Sequence, residues 1–208
     1  MLDPKREKTR ELIQTLSRDI SAKGHLNSKV LFLSWTGLLV SGIILGYAVS
    51  LARHQSVFPG WWPEPTLILA WGLLTAILLT KSAYPEEGST WLFWGAGASV
   101  FVWIGFHTVG FVNEFQIEHV HIGFCPLVLV SCTILFGGLS WILLGRMASA
   151  RPGLSAFLFL SLLFAGSNLA LKFICPVQSA PHIFLSHVLA SLGWILLLWI
   201  PVRKKFSW

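Results

Sequence analysis

Six apolar runs constrain the fold of this chain more than any other feature. They are Val30–Ala52, Thr66–Thr80, Trp91–Val112, Pro126–Gly145, Leu154–Ile174 and Ile183–Val202. A helix needs roughly 20 apolar residues to cross a hydrocarbon core of about 30 Å. Five runs meet that length. The second is short, and Trp61 and Trp62 before it are placed to sit in the interface and extend its span. The runs lack the alternation of a half-buried strand, and backbone groups in lipid must pair within a helix or a closed barrel. The expected fold class is therefore an all-α integral membrane protein with six transmembrane helices. Composition agrees: 54% of the residues are hydrophobic and 12% are charged, against about 25% charged in a soluble domain. That excludes a soluble enzyme, a disordered tail and a disulfide-rich miniprotein. The first run begins after a long polar segment and lacks a clear small-residue cleavage site, so it reads as a retained anchor and not a signal peptide.

Punctuation divides the runs. Pro59-Gly60, Pro63 and Pro65 precede the second, Tyr84-Pro85-Glu86-Glu87-Gly88 precedes the third, and Arg151-Pro152-Gly153 separates the fourth from the fifth. Short turns favour antiparallel neighbours, so three consecutive helical hairpins are expected. Lys and Arg set the orientation. Thirteen of the fifteen fall on one side: seven in the N-terminal segment, then Lys81, Arg146, Arg151, Arg203, Lys204 and Lys205. Only Arg53 and Lys172 fall on the other. Both termini are thus expected in the cytoplasm. The organisation reads as a cytoplasmic segment 1–29, a membrane domain 30–202 and a basic tail 203–208. The net charge of +6 is a topology signal that also suits anionic lipid, and it does not indicate nucleic-acid binding.

Chemistry-bearing residues concentrate on the outer side of this topology. Cys125-Pro126 opens the fourth run and Cys175-Pro176 closes the fifth, at similar distances from the turn that joins them. A hairpin of that shape puts both thiols at similar depth, and facing helices can bring Cα atoms within the 4.4–6.8 Å or so that a disulfide needs. A disulfide, unpaired thiols at a sensing surface and inert buried thiols all remain open. No C-x-x-C motif is present, which argues against a thioredoxin-like enzyme. Cys132 lies two turns deeper and reads as a packing residue. Glu118, His119, His121 and Cys125 offer oxygen, nitrogen and sulfur donors within eight residues, a candidate site for a transition metal ion. A solvated polar loop is the plainer reading of that stretch. His182 and His187 could join only through the fold. His107 reads as a hydrogen-bonded packing histidine near the outer end of its span. Glu64 is assigned to an outer connection. The spans show no paired carboxylate and no charged midplane site, although Asn168 and Lys172 share a face of the fifth run. Leu12, Ile13, Leu16 and Ile20 recur at helical spacing in the N-terminal segment. They mark a short amphipathic helix that must dock on membrane, bundle or partner.

Three stretches give the chain a family likeness. The first is Glu11-Leu12-Ile13-Gln14-Thr15-Leu16-Ser17-Arg18-Asp19, similar to an opening L-I-x-x-L-x-x-D pattern. The second is the six-span layout, with a Cys opening the fourth span and an Arg-to-Pro turn after it, Arg146 to Pro152. The third is Ala165-Gly166-Ser167-Asn168-Leu169-Ala170-Leu171-Lys172-Phe173-Ile174-Cys175-Pro176, similar to a G-x-x-A-x-x-L-x-x-x-C stretch. Together they resemble the NrsF-type (negative regulator of sigma F) bacterial membrane anti-sigma factors. Polar Asn168 and Lys172 depart from the family pattern, as does the His-rich stretch before Cys125.

The resemblance implies a non-enzymatic protein of the bacterial inner membrane. Its cytoplasmic segment would hold an extracytoplasmic-function sigma factor through Leu12, Ile13, Leu16 and Asp19, with no direct nucleic-acid contact. Cys125 and Cys175 would receive a metal or redox signal. The rival expectations are a membrane thiol-redox protein and a metal-handling or transport protein using the outer His/Cys cluster.

Overall fold

The computed structural model describes residues 27–54, 63–83, 90–114, 122–144, 147, 149 and 151–206. Six helices long and apolar enough to cross a membrane account for nearly all of them, and no strand occurs among the described residues. They are α1 (Ser28–Ala52), α2 (Pro63–Ser82), α3 (Thr90–Glu114), α4 (Cys125–Leu144), α5 (Pro152–Ile174) and α6 (Ala180–Phe206). These helices mark a multi-pass membrane protein.

Local chemistry sets the helix starts. Asn27 caps α1, its side-chain oxygen accepting the Lys29 N–H at 2.9 Å. Proline opens α2 and α5, where its missing N–H costs nothing. Gly123 adopts φ 59° immediately before α4, a left-handed conformation that suits glycine. Within α6, Phe184–Leu189 form a π-helical stretch, and Pro201 lies inside the last turns.

α5 is the centre of the bundle and is buried along almost its whole length. It packs on α1, α2, α4 and α6, while α3 lies against α2 and the first turns of α6. Lipid provides no hydrophobic drive between helices, so close fit and interhelical hydrogen bonds must hold such a core. Both are present. Gly42 and Gly46 of α1 lie against Gly166 and Ala170 of α5, so closely that a Cβ on Gly42 would stand 2.5 Å from the Gly166 carbonyl oxygen. Trp71 Nε1 donates to Ser161 Oγ at 2.8 Å, Thr133 and Ser167 hydroxyls meet at 3.0 Å, and Asn168 Nδ2 donates to Ser191 Oγ at 3.0 Å. The outward faces carry Leu33 and Ile44 on α1, Phe101 and Val109 on α3, Ile134 and Ile142 on α4, and Leu196 and Ile200 on α6, all exposed and suited to acyl chains.

Contacts between α1 and α5 run in one direction. Trp35 meets Phe159 with ring centroids 5.9 Å apart, Gly42 meets Gly166, and Gly46 meets Ala170. Phe159 in turn meets Phe206 at 6.2 Å, and Ser149 N donates to Phe206 O at 3.4 Å. The start of α1, the start of α5 and the end of α6 therefore share one end of the bundle. The basic residues Arg203, Lys204 and Lys205 close α6 there. The end of α5 and the start of α6 lie at the opposite end, where the chemically active side chains gather.

Candidate functional site

Four buried side chains converge where α4 begins, α5 ends and α6 starts. Cys125 is the first residue of α4, Cys175 caps α5, and His182 and His187 lie on the first turns of α6. The turn before Pro152 joins the cysteines' two helices, and the link from Cys175 to Ser179, through Pro176, carries the chain from α5 directly into α6. Cys125 Sγ lies 3.0 Å from Cys175 Sγ, and Cys175 Sγ lies 3.2 Å from His182 Nε2. His182 Nδ1 in turn meets Ser186 Oγ at 3.4 Å. One potential ligand atom from each of the four residues falls within 4.8 Å of all the others.

The π-helical stretch explains how both imidazoles reach this point. In a regular α-helix, residues five apart are rotated by about 140° relative to each other. A π turn is wider and brings such residues closer to one face. His182 and His187 have ring centroids 5.5 Å apart, inclined at 73°. His187 Nε2 is buried and makes no hydrogen bond among the described residues. Ser186, on the same stretch, donates to Ile122 O at 2.9 Å and ties α6 to the segment leading into α4.

Two thiols and two imidazoles are a ligand set for a tetrahedral, borderline-to-soft metal ion. With metal–sulfur bonds of about 2.3 Å and metal–nitrogen bonds of about 2.0–2.1 Å, tetrahedral geometry sets the sulfurs ~3.8 Å apart and each sulfur ~3.6 Å from a nitrogen. The observed 3.0 Å and 3.2 Å are shorter. Ion capture would thus open the cluster by a few tenths of an ångström to just under one. Disulfide formation would draw the two sulfurs together instead.

A second buried cluster adjoins the first. Glu64, in the first turn of α2, is 3% exposed. Its Oε2 accepts from Lys172 Nζ at 2.5 Å, and its Oε1 meets His107 Nε2 at 2.9 Å and Trp103 Nε1 at 3.4 Å. Lys172, 4% exposed, also donates to Gln178 Oε1 at 2.6 Å. Gln178 Nε2 then donates to the Cys175 carbonyl at 2.7 Å. Glu64 is thus not a connection residue, as the sequence suggests, because Pro63 and Pro65 start a helix there and do not interrupt one. The spans also carry a buried ion pair that pattern alone does not reveal. It lies near the helix ends and not at mid-bundle. His107 is buried as expected, but against a carboxylate and not simply as packing.

The structure brings Cys125 and Cys175 together and adds His182 and His187 to them. Cys132 is buried on α4 as a free thiol outside this group. Glu118, His119 and His121 lie outside the described residues, as do Leu12, Ile13, Leu16 and Asp19. No family model matches the sequence, and neither a curated protein nor a solved structure matches it.

Proposed function

We propose that this chain is a membrane-bound anti-sigma factor. In this reading the N-terminal segment is cytoplasmic and holds an extracytoplasmic-function sigma factor through Leu12, Ile13, Leu16 and Asp19. The six helices form three antiparallel hairpins in a bacterial inner membrane, with both termini inside. The protein is a regulator and not an enzyme. The signal-receiving element is the Cys125/Cys175/His182/His187 cluster, which takes a transition metal ion from the outer side.

The observation that carries this reading is the convergence of two thiols and two imidazoles in one buried group at the end of the bundle opposite the start of α1. Such a group suits a soft ion, and an ion shifts an equilibrium by binding one state of the group better than the other. A tenfold change in sigma-factor affinity needs about 1.4 kcal/mol of coupling. Metal–thiolate bonding exceeds that comfortably. The resemblance of the Ala165–Pro176 and Glu11–Asp19 stretches to the NrsF-type family is what supports a sigma factor as the partner.

The test is affinity capture from the native host in mild detergent, with full-length protein beside a version lacking residues 1–24. A sigma factor held by the full chain, lost on truncation and released by added cadmium supports the reading. If folded full-length protein captures no sigma factor, the anti-sigma reading falls.

The 3.0 Å approach of the two sulfurs favours a second reading, a thiol-redox protein in which Cys125 and Cys175 form a disulfide. Intact mass before and after mild oxidation distinguishes it, because the disulfide removes two hydrogens from the chain. A metal-handling protein would instead support metal uptake without residues 1–24.

A further inference from the structure

The short link Cys175–Ser179 touches both buried clusters. Cys175 contributes its sulfur to the thiol–imidazole group, and its carbonyl accepts the Gln178 amide at 2.7 Å. The other end of that amide accepts from Lys172 at 2.6 Å, and Lys172 reaches Glu64 on α2 at 2.5 Å. The Gln178 side chain is therefore a single rigid amide with one hand on Cys175 and the other on an ion pair that fastens α2 to α5.

α3 reaches the same region by a different route. Phe111 packs on Phe184 with ring centroids 4.8 Å apart, Glu114 Oε2 accepts from Ala180 N at 3.4 Å, and a Cβ on Gly110 would come within 2.8 Å of Ala180 Cβ. These contacts couple α3 to the start of α6 by direct packing. For α2, the bonded path toward the cluster runs through Glu64.

We propose that Gln178, Lys172 and Glu64 form a positioning relay that transmits the state of the Cys175 side chain to α2. The inference rests on the cluster being the signal-receiving element, but not on which ion or oxidant acts there. Capture of an ion displaces Cys175 Sγ by ~0.8 Å relative to Cys125 and ~0.4 Å relative to His182. Packed cores answer such shifts by moving between discrete arrangements and not by continuous deformation. Because its two polar atoms are fixed relative to each other, a movement of the Cys175 carbonyl turns the Gln178 amide and disturbs its bond to Lys172. Displacement of the Cys175 carbonyl therefore alters the Lys172–Glu64 pair and the first turns of α2. α3 responds as well, through Phe184 and Ala180, whether or not the relay is intact.

Hydrogen exchange of the full chain in detergent tests this, with two independent perturbations: cadmium ion and Cys175→Ser. In the wild-type protein, each is expected to change amide exchange at residues 66–70 by about threefold or more, with a change also at 110–114, beyond the His107 contact with Glu64. In Gln178→Ala, cadmium affinity, read from the thiolate–cadmium ultraviolet band, should stay within about threefold of wild type. The response at 110–114 should persist while that at 66–70 disappears. Gln178→Met keeps the length of the side chain and removes both hydrogen bonds without adding charge, so it serves where alanine disturbs folding. A response at 66–70 that survives both substitutions overturns the relay. So does a wild-type protein in which Cys175→Ser leaves 66–70 unchanged. If wild-type protein binds no cadmium, the metal reading of the cluster fails separately, and the Cys175→Ser arm alone decides the relay.

Discussion

Removing the Glu64 charge should be the most damaging single change in the described part of the bundle. Lys172 Nζ and Glu64 Oε2 lie 2.5 Å apart, and both residues are under 5% exposed. At an effective dielectric of about 20, unit charges at that distance attract by roughly 7 kcal/mol. Burial of each ion costs several kcal/mol in return, so the pair adds little net stability. Loss of one partner is another matter. In Glu64→Gln the Lys172 ammonium stays buried with only amide oxygens to receive it, and the expected loss is about 3–5 kcal/mol. Lys172→Met should cost less, about 2–3 kcal/mol, because Glu64 retains the His107 and Trp103 donors. The double variant removes both charges and should recover part of the loss, giving a coupling energy of at least ~2 kcal/mol. Reversible unfolding in mixed dodecyl maltoside and dodecyl sulfate micelles, followed by circular dichroism, measures all four corners of the cycle. Additive losses would refute the claim that these two side chains stabilise each other.

Other consequences of the structure are equally direct. Gly42→Ala should destabilise the bundle by about 1–3 kcal/mol, since its Cβ meets the Gly166 backbone, whereas Gly37→Ala, which faces open space, should be silent in the same unfolding assay. Loss of a direct ligand in His187→Ala should weaken cadmium binding by more than the roughly 10–100-fold typical of an outer-shell partner, as read by ultraviolet titration. Asn168→Leu loses bonds to Phe164 O and Ser191 but also removes a buried Oδ1 that has no partner among the described residues. Its stability should therefore stay within about 1 kcal/mol of wild type, and a loss above ~2 kcal/mol would show that Oδ1 has a partner of consequence.

The helices were legible because each is announced by a run of apolar residues, a one-dimensional signal that survives without tertiary information. Their ends were less so. Pro63 and Pro65 look like breakers in sequence, yet at a helix start proline is a favoured residue, and that places Glu64 inside α2. The proximity of Cys125 and Cys175 could be anticipated from their equal distance to the intervening turn. The Glu64–Lys172 pair could not, since 108 positions separate its members. His182 and His187 were hidden for a different reason. Their spacing of five opposes a shared face in an α-helix, and only the π-helical widening reconciles them. An apolar run with no proline or glycine at that point gives no warning of such a turn.

Charge balance explains how such a group can sit at the end of a membrane bundle in both of its states. With both cysteines as thiols and both imidazoles neutral, such a group would carry no net charge. When a divalent ion binds two thiolates and two imidazoles, two protons leave and the net charge is again zero. Beside it, Lys172 and Glu64 cancel each other. An apolar setting penalises unpaired charge heavily, so a centre that gained or lost charge on signalling would have to leave its burial or change its neighbours' protonation. This one need do neither. What ion capture would change is distance, since the sulfurs, 3.0 Å apart, would have to separate. A signal carried by displacement needs a stiff connection to reach another helix. The amide of Gln178, bonded at both ends to partners on either side, has that property.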